Sequence, residues 1–108
     1  MMKLVLSGGV VSVVLALVCT TVVAQNAVVT PEQINAGSEI YATYCATCHG
    51  RRMKNPEWAI DLATIPKDDR QRFLQSVTNG INSMPPWGDV LKANEIEALW
   101  AYFSAGEK

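Results

Sequence analysis

The distribution of apolar residues along the chain predicts three helices. Residues 31–44 place apolar side chains and one glycine on a single face at helical spacing, and residues 70–79 and 93–105 show the same spacing. The three faces consist of Ile34, Gly37, Ile40, Tyr41 and Tyr44; of Phe73, Leu74 and Val77; and of Ile96, Leu99, Trp100 and Phe103. The flanking sequence lacks the alternation that is typical of a half-buried strand. The pattern therefore predicts an all-α fold.

Residues at the ends of these segments support the helix boundaries. Thr30-Pro31-Glu32-Gln33 has threonine at an N-cap, proline at the first helical position and glutamine at the third, as in a capping box. For the second segment we expect Asp68-Asp69 in the first turn and Gly80 at the end. For the last segment, Asn94 is a candidate cap and Gly106 suits the end.

The first 24 residues have the features of a secretory signal peptide. Lys3 provides a positive charge, the run from Leu4 to Val18 is mainly apolar, and Val22-Val23-Ala24 offers small residues at a cleavage site. We expect cleavage after Ala24 and export to the periplasm. The alternative is an uncleaved membrane anchor, but the apolar run is shorter than the roughly 20 residues that a spanning helix needs.

Cleavage would leave residues 25–108 as a single domain of 84 residues. The core of a domain of this size is marginal and commonly needs a covalent or metal staple. This part of the chain carries eight Lys and Arg residues against ten Asp and Glu residues. The balance gives no support for nucleic-acid binding, and we expect no stable membrane insertion after signal cleavage.

The most informative stretch is Cys45-Ala46-Thr47-Cys48-His49. A C-x-x-C-H sequence is typical of a c-type haem attachment site. On a helical turn the two thiols can each form a thioether with a haem vinyl group, and the adjacent imidazole can reach the iron. Cys45, Cys48 and His49 are therefore candidate cofactor-binding residues for one covalently attached haem c. An attached haem would supply an apolar plate on which a small chain can pack.

The cysteine pair could also belong to a structural zinc site or to a thioredoxin-like redox site. A structural zinc ion needs four ligands. His49 is the only histidine, however, and the third cysteine, Cys19, would leave with the signal peptide. A thioredoxin-like redox pair is expected in a βαβ context, which the helical flanks do not provide. Both interpretations are weaker than haem attachment.

A second informative stretch, residues 81–88, contains Met84-Pro85-Pro86-Trp87. Two prolines remove backbone donors and fix an extended path, so this loop can hold a side chain at a defined point. The thioether of Met84 is a soft ligand suited to haem iron. Met53 lies too close to His49 along the chain to reach the opposite haem face, so we predict Met84 as the distal ligand. An iron without this ligand would be open to small molecules.

The segment after the motif offers further candidates. Three basic residues could pair with haem propionates or with an acidic partner, or could be solvated surface charges. These are Arg51, Arg52 and Lys54. The carbonyl of Pro56 could accept a hydrogen bond from the outer ring nitrogen of His49 and fix the imidazole. Trp58 and Leu62 could cover a haem edge or belong to the ordinary core.

Through these motifs, residues 31–105 resemble the class I cytochromes c of bacteria. The matching features are Gly37 and Tyr41 four apart on the first helix, the Cys45–Gly50 motif, the Met84–Trp87 loop and Leu99-Trp100-Ala101-Tyr102. The resemblance implies three to four helices wrapped around one covalent haem c, with the first and last helices crossing. It implies that Gly37 permits the close approach to Leu99 and Tyr102, and that His49 and Met84 are the iron ligands.

The loop and last helix are most similar to small periplasmic carriers and to cytochrome domains that serve quinoprotein dehydrogenases. Three features depart from the family pattern. The spacing of 35 residues from His49 to Met84 is short, and the Gly-Pro-x-Leu sequence that usually follows the motif is absent. Lys92 stands where serine or threonine commonly caps the last helix.

The expected function is periplasmic electron transfer, and we expect no enzymatic activity. The protein would carry one electron between a dehydrogenase or other donor and a terminal acceptor. Candidate redox partners are a quinoprotein dehydrogenase and a terminal oxidase, and we expect a monomer that docks transiently. Two alternatives stay open: an open-site haem protein with peroxidase or gas-sensing activity, and a haem subunit of a larger dehydrogenase complex.

Overall fold

The computed structural model describes residues 8–19 and 28–107. Residues 8–19 belong to the predicted signal peptide; they are exposed and have no regular secondary structure. The predicted cleavage site after Ala24 lies outside the described residues. Within the two described ranges, no helix is both long enough and apolar enough to cross a membrane.

The described residues form four α-helices; three occupy the predicted segments, and the fourth is the short turn of the C-x-x-C-H motif. They are α1 (Pro31–Tyr44), α2 (Ala46–His49), α3 (Arg70–Asn79) and α4 (Ala93–Ala105). Short 3-10 helices lie between them at Arg51–Met53, Leu62–Thr64 and Trp87–Asp89. Residues 8–19 and 28–107 contain no strand, only an isolated antiparallel bridge between Ile81 and Met84. The predicted all-α fold is confirmed.

The start of α1 has the predicted capping box. The Thr30 hydroxyl accepts a hydrogen bond from the Gln33 backbone N–H at 3.2 Å, and the Gln33 side-chain carbonyl accepts one from the Thr30 N–H at 3.0 Å. Pro31 occupies the first helical position, where its missing N–H costs nothing. The helix entry is thus specified by four consecutive residues.

The starts of α3 and α4 differ from the predicted caps. Asp69 precedes α3 as its N-cap and accepts a hydrogen bond from the Arg72 N–H at 3.0 Å, so the acidic pair is outside the first turn. Lys92 is the N-cap residue of α4, and Asn94 lies inside the helix. The Glu95 carboxylate reaches back to the Lys92 N–H at 2.9 Å. This half of a capping box satisfies the Lys92 N–H without a serine or threonine at position 92.

Helices α1 and α4 cross at a close contact on Gly37. A Cβ at Gly37 would lie 1.9 Å from the carbonyl oxygen of Ala98 and 2.9 Å from the Cβ of Tyr102. One turn further along α1, the Tyr41 ring packs on Tyr102 with the ring centroids 5.3 Å apart. The predicted crossing is confirmed, with Ala98 as the residue that directly faces the glycine.

The hydrophobic core is built mainly on this crossing. Its buried members are Tyr41, Met53, Leu91, Ile96, Leu99, Tyr102 and Phe103. The apolar stripe of α3 packs against them, with Phe73 stacked on Phe103 at a centroid distance of 4.8 Å. Beside this core the helices leave a cavity, and the C-x-x-C-H motif lies on its wall.

Candidate haem site

The motif forms a single helical turn directly after α1. The Cys45 N–H donates to the Tyr41 carbonyl at 2.9 Å, and the His49 N–H donates to the Cys45 carbonyl at 3.0 Å. This turn brings Cys45, Cys48 and His49 to the same cavity wall. Both thiols are free and half-buried. The three groups therefore have the chemistry and the common location that covalent haem attachment requires.

The turn that leaves the motif requires glycine at position 50. Gly50 has φ +84°, and a Cβ there would lie 1.8 Å from the carbonyl oxygen of Lys54. The Tyr41 hydroxyl donates a hydrogen bond of 2.6 Å to the Gly50 carbonyl. The exit of the motif is thereby tied to α1. The helical pattern placed Tyr41 on the core face, but nothing in it indicated this bond.

The imidazole of His49 is oriented by Ile60 and not by Pro56. The Nδ1 atom lies 3.2 Å from the Ile60 carbonyl oxygen. Because a carbonyl only accepts, Nδ1 carries the hydrogen and Nε2 is left with the lone pair that a metal needs. The prediction of Pro56 was therefore wrong, although a backbone carbonyl of the same loop fills the role. Such a bond fixes the ring and raises the basicity of the ligand.

The methionine loop, residues 81–89, is a tight turn that carries Met84. The Met84 N–H donates to the Ile81 carbonyl at 2.9 Å, and the Ile81 N–H donates to the Met84 carbonyl at 3.2 Å. Asn82 supplies the left-handed residue of the turn, with φ +52°. Met84 is half-buried, and it lines the same cavity as the motif. The loop thus brings a thioether, a soft group that suits haem iron, to the same cavity as the motif from a distant part of the chain.

The shared cavity has a volume of about 450 Å³. Its wall is mainly apolar and includes Tyr41, Cys45, Cys48, His49, Met53, Trp58, Ile60, Leu62, Phe73, Val77, Met84, Leu99 and Phe103. Cofactor sites are typically apolar clefts of roughly this size with a few placed polar groups. Two thiols suit attachment to the haem vinyl groups, and an imidazole with a thioether suits ligation of the iron. The residues present therefore fit a covalently attached haem with two axial ligands.

Two predicted haem-edge residues also line this cavity. Trp58 is 68% exposed and Leu62 is half-buried, and both belong to the cavity wall. Neither belongs to the buried core; Leu62 only packs against its edge. Their location favours the haem-edge interpretation over the ordinary-core one.

The basic residues after the motif lie elsewhere. Among the described cavity-lining residues, the one Lys or Arg is Arg72 on α3. The Arg52 guanidinium instead forms an ion pair with Glu107 at 2.5 Å. Arg72 is therefore a better candidate than Arg51, Arg52 or Lys54 for a carboxylate bound at this cavity.

The protonation of Cys45 argues against a redox thiol pair. Burial, together with the charge of the neighbouring Cys48, raises the pKa of the Cys45 thiol to about 11. Reactive C-x-x-C pairs work through thiolates whose pKa is lowered. A thiol that stays protonated at neutral pH, in an all-α fold, does not suit thioredoxin-like exchange.

Comparison with known proteins identifies the family. A family model described as cytochrome c oxidase, cbb3-type, subunit III matches residues 32–103, which is most of the helical fold. The chain belongs to this cytochrome c family. Membership implies covalently bound haem c, in agreement with the cysteine pair at positions 45 and 48. The attachment and ligand roles of the individual residues Cys45, Cys48, His49 and Met84 stay predictions.

Two relatives and one solved structure illustrate the range of this cytochrome's likeness. It is 32% identical to quinohemoprotein alcohol dehydrogenase ADH IIB of Pseudomonas putida over 79% of its own chain but only 13% of that protein. It is 34% identical to cytochrome c6 of Microcystis aeruginosa, over 64% of this chain and 91% of that protein. The c-type cytochrome SorU of Sinorhizobium meliloti superposes with a TM-score of 0.59 and 29% identity, over 72% of this chain and 94% of that chain.

These likenesses confirm the resemblance to class I cytochromes c and the cytochrome c fold. The cytochrome spans about an eighth of the alcohol dehydrogenase but nearly the whole of the small cytochromes. It is thus similar both to small cytochromes over nearly their whole length and to a short segment of a larger quinohemoprotein. At the coarse level, the cytochrome belongs among electron-transfer haem proteins.

Proposed function

We propose that this cytochrome is an exported one-electron carrier, with thioether attachment at Cys45 and Cys48 and axial ligation by His49 and Met84. The observation that carries the proposal is the single cavity of about 450 Å³ onto which all four side chains open. They come from two segments that lie 35 residues apart, counted from His49 to Met84. A chance methionine would not be expected beside the motif, in a loop held by paired hydrogen bonds.

In this proposal, the chain's own residues bind the haem and tune its reduction potential. Bound haem c supplies a one-electron iron couple that cycles without making or breaking a bond to substrate. The Ile60 carbonyl holds the His49 ring, and the apolar wall excludes water, which together with a neutral thioether tunes the potential. Arg72 would face a carboxylate at the cavity. The proposal includes no catalytic residue, because it assigns the two thiols and the imidazole of the cavity wall to haem attachment and iron ligation.

The proposal extends to location and processing. Residues 1–24 would be a signal peptide cleaved after Ala24, and residues 25–108 the mature periplasmic domain. Support comes from the leader sequence and from the chemistry of a covalent cofactor, which is not lost by dissociation outside the cytoplasm. Mass spectrometry of protein recovered from the periplasm tests both points. We expect a mass equal to residues 25–108 plus one haem, and the unprocessed mass would contradict the cleavage.

Donor and acceptor classes follow from the relatives. A quinohemoprotein alcohol dehydrogenase is a natural donor class, because a segment of one such enzyme is similar to this chain. A cbb3-type oxidase is a natural acceptor class, because the matching family model describes a subunit of that oxidase. The test mixes the ferric cytochrome with such a dehydrogenase and its alcohol, and the ferrous cytochrome with membranes that contain the oxidase. Fast reduction in the first case or fast oxidation in the second is expected. Failure of both, with turnover of hydrogen peroxide, would contradict a carrier role and favour the open-site alternative.

A second candidate is a haem subunit that works only inside a larger complex. The observation that favours it is the likeness to a segment of the alcohol dehydrogenase, where the matched part is 13% of the protein. Gel filtration of the protein from its native periplasm separates the two candidates. A free carrier elutes as a monomer, whereas a subunit elutes with its dehydrogenase.

A further inference from the structure

The two predicted iron ligands are held by separate parts of the chain. His49 belongs to the helical turn that follows α1, whereas Met84 lies in the methionine loop after α3. A six-coordinate iron needs both segments to keep a fixed separation. Some contact must therefore resist the departure of the methionine loop from the motif.

On one side, the loop is anchored to α3. A Cβ at Gly80 would lie 2.6 Å from the Met84 carbonyl oxygen, and a Cβ at Gly88 would lie 2.9 Å from the Thr78 carbonyl oxygen. The loop thus contacts the C-terminal end of α3 at two points, through Met84 near its middle and through Gly88 near its end. The Leu91 N–H donates to the Trp87 carbonyl at 2.8 Å, and Leu91 is buried in the core. The position of Trp87 is therefore fixed from its own side of the molecule.

On the other side, Trp87 meets the end of α1. Its ring lies edge-on to the ring of Tyr44, with centroids 5.6 Å apart and an interplanar angle of 60°. This is a favourable geometry for an aromatic pair. Tyr44 is the last residue of α1 and directly precedes Cys45, while Trp87 follows Met84 by three residues. The pair therefore joins the haem-attachment segment to the methionine loop.

We propose that Tyr44 and Trp87 form an aromatic clasp that keeps the methionine loop closed and Met84 on the iron. Both are positioning residues, since they act through Met84 and the motif. The inference rests on the proposed His49 and Met84 ligation. It goes beyond that ligation because it assigns the stability of the iron–methionine bond to two side chains outside the ligand set.

The consequence is measurable as ligand exchange. An added ligand such as imidazole binds ferric iron only after Met84 has left, so its apparent affinity is the intrinsic affinity multiplied by the open fraction. Loss of the clasp raises the open fraction while the ring of His49 and its bond to Ile60 stay intact. The clasp thus predicts tighter imidazole binding without loss of covalent haem.

The experiment titrates ferric holo-protein with imidazole and follows loss of the iron–methionine absorption band. Tyr44→Leu and Trp87→Leu should each bind imidazole roughly three- to tenfold more tightly than wild type, the range that a lost aromatic pair allows. The double variant should match the tighter single variant, because each substitution breaks the same contact. Tyr44→Phe keeps the ring and should bind as wild type does.

The matched control is Trp100→Leu, a tryptophan of α4 that packs on Phe73 and does not line the cavity. It should lower thermal stability but leave the imidazole affinity within about twofold. Multiplicative effects of the two clasp variants, or unchanged affinities, would overturn the clasp. If Trp87→Leu does not mature with haem, the comparison of Tyr44→Leu with Tyr44→Phe decides alone. Absence of the methionine band in wild type would instead refute the Met84 ligation itself.

Discussion

At the residue scale, Glu107, which lies two residues after α4, contacts the turn that follows the C-x-x-C-H motif. Its carboxylate accepts a hydrogen bond from the Tyr102 hydroxyl at 2.6 Å and pairs with the Arg52 guanidinium at 2.5 Å. The Tyr102 hydrogen bond and the Arg52 hydrogen bond lower the pKa of Glu107 from its usual value. Arg52 has an unusual left-handed backbone, φ +55°, so this contact also helps to hold the turn.

These contacts predict a specific acid sensitivity. Because the pKa of Glu107 is lower in the folded state, its contribution to the free energy of unfolding is present above the ordinary glutamate pKa. It is lost as the pH falls through the lowered value. Denaturant unfolding of Glu107→Gln should therefore show lower stability at pH 7 and a shallower decline into acid than wild type.

The control for this prediction is Glu57→Gln. Glu57 is exposed, and its side chain has no hydrogen bond or ion pair within residues 8–19 and 28–107. It should retain the wild-type stability profile. Parallel acid profiles for Glu107→Gln and wild type would show that the interaction does not contribute.

Individual side-chain partners are the part of this site that the sequence could not specify. Ile60 acts through its backbone carbonyl, which every residue has, so no side-chain pattern could distinguish it from Pro56. Met53 is buried in the core although it has φ +59° and lies in a polar stretch. The pairing of Arg52 with Glu107 joins residues 55 positions apart. Such contacts depend on the tertiary arrangement rather than on local composition.

At the element scale, the crossing of α1 and α4 depends on Gly37. A glycine inside a helix costs about 1 kcal/mol relative to alanine. Here the missing side chain allows the two helices to approach closely: a Cβ at Gly37 would lie only 1.9 Å from the Ala98 carbonyl oxygen. Because that neighbour is backbone, it cannot rotate away, and the close approach outweighs the cost in propensity.

Gly37→Ala should therefore destabilise the protein despite its better helix propensity. We expect a net loss of at least ~2 kcal/mol, since overpacking of a core commonly costs about 1–3 kcal/mol and this contact is with backbone. Thermal unfolding of the holo-protein measures it, with an expected fall in midpoint of roughly 8–16 °C. The neighbouring substitution Ala36→Gly, on the exposed face, should cost only about 1 kcal/mol. Equal or higher stability of Gly37→Ala would contradict the crossing.

The helices themselves were predictable because local signals agreed. In α1, α3 and α4 the periodic apolar face and the terminal residues pointed to the same boundaries. The caps of α3 and α4 were the exceptions. Asp69 follows Asp68, which could also cap, and α4 begins after Lys92, whose side chain gives no capping signal. Where each helix begins therefore depends on the backbone path into it.

At the scale of the whole molecule, a small core adjoins an apolar cavity of about 450 Å³. The core of a domain of this size is marginal and commonly needs a covalent or metal staple. A haem attached beside the cavity would bury its apolar wall, so the fold is expected to depend on the haem. The sequence predicted this dependence from the motif and the small size of the mature chain, whereas the cavity's shape needed the tertiary structure.

The domain should therefore not fold stably without attached haem. Replacing both attachment cysteines, Cys45→Ser with Cys48→Ser, should abolish covalent haem and most of the cooperative thermal transition followed by circular dichroism. The matched control is Cys19→Ser, which would be removed with the signal peptide and should leave the mature protein unchanged. A cooperative transition in the double variant, at a midpoint near that of the holo-protein, would show that the core is sufficient by itself.

Ligation of the iron by both His49 and Met84 can be read from visible absorption spectra. Visible spectra of the periplasmically matured protein are recorded in the ferric state and then after reduction under carbon monoxide. We expect a weak red methionine-to-iron charge-transfer band that is lost in Met84→Ala, and no spectral shift with carbon monoxide in the wild type. A missing band together with ready carbon monoxide binding would contradict the Met84 ligation and the carrier function built on it.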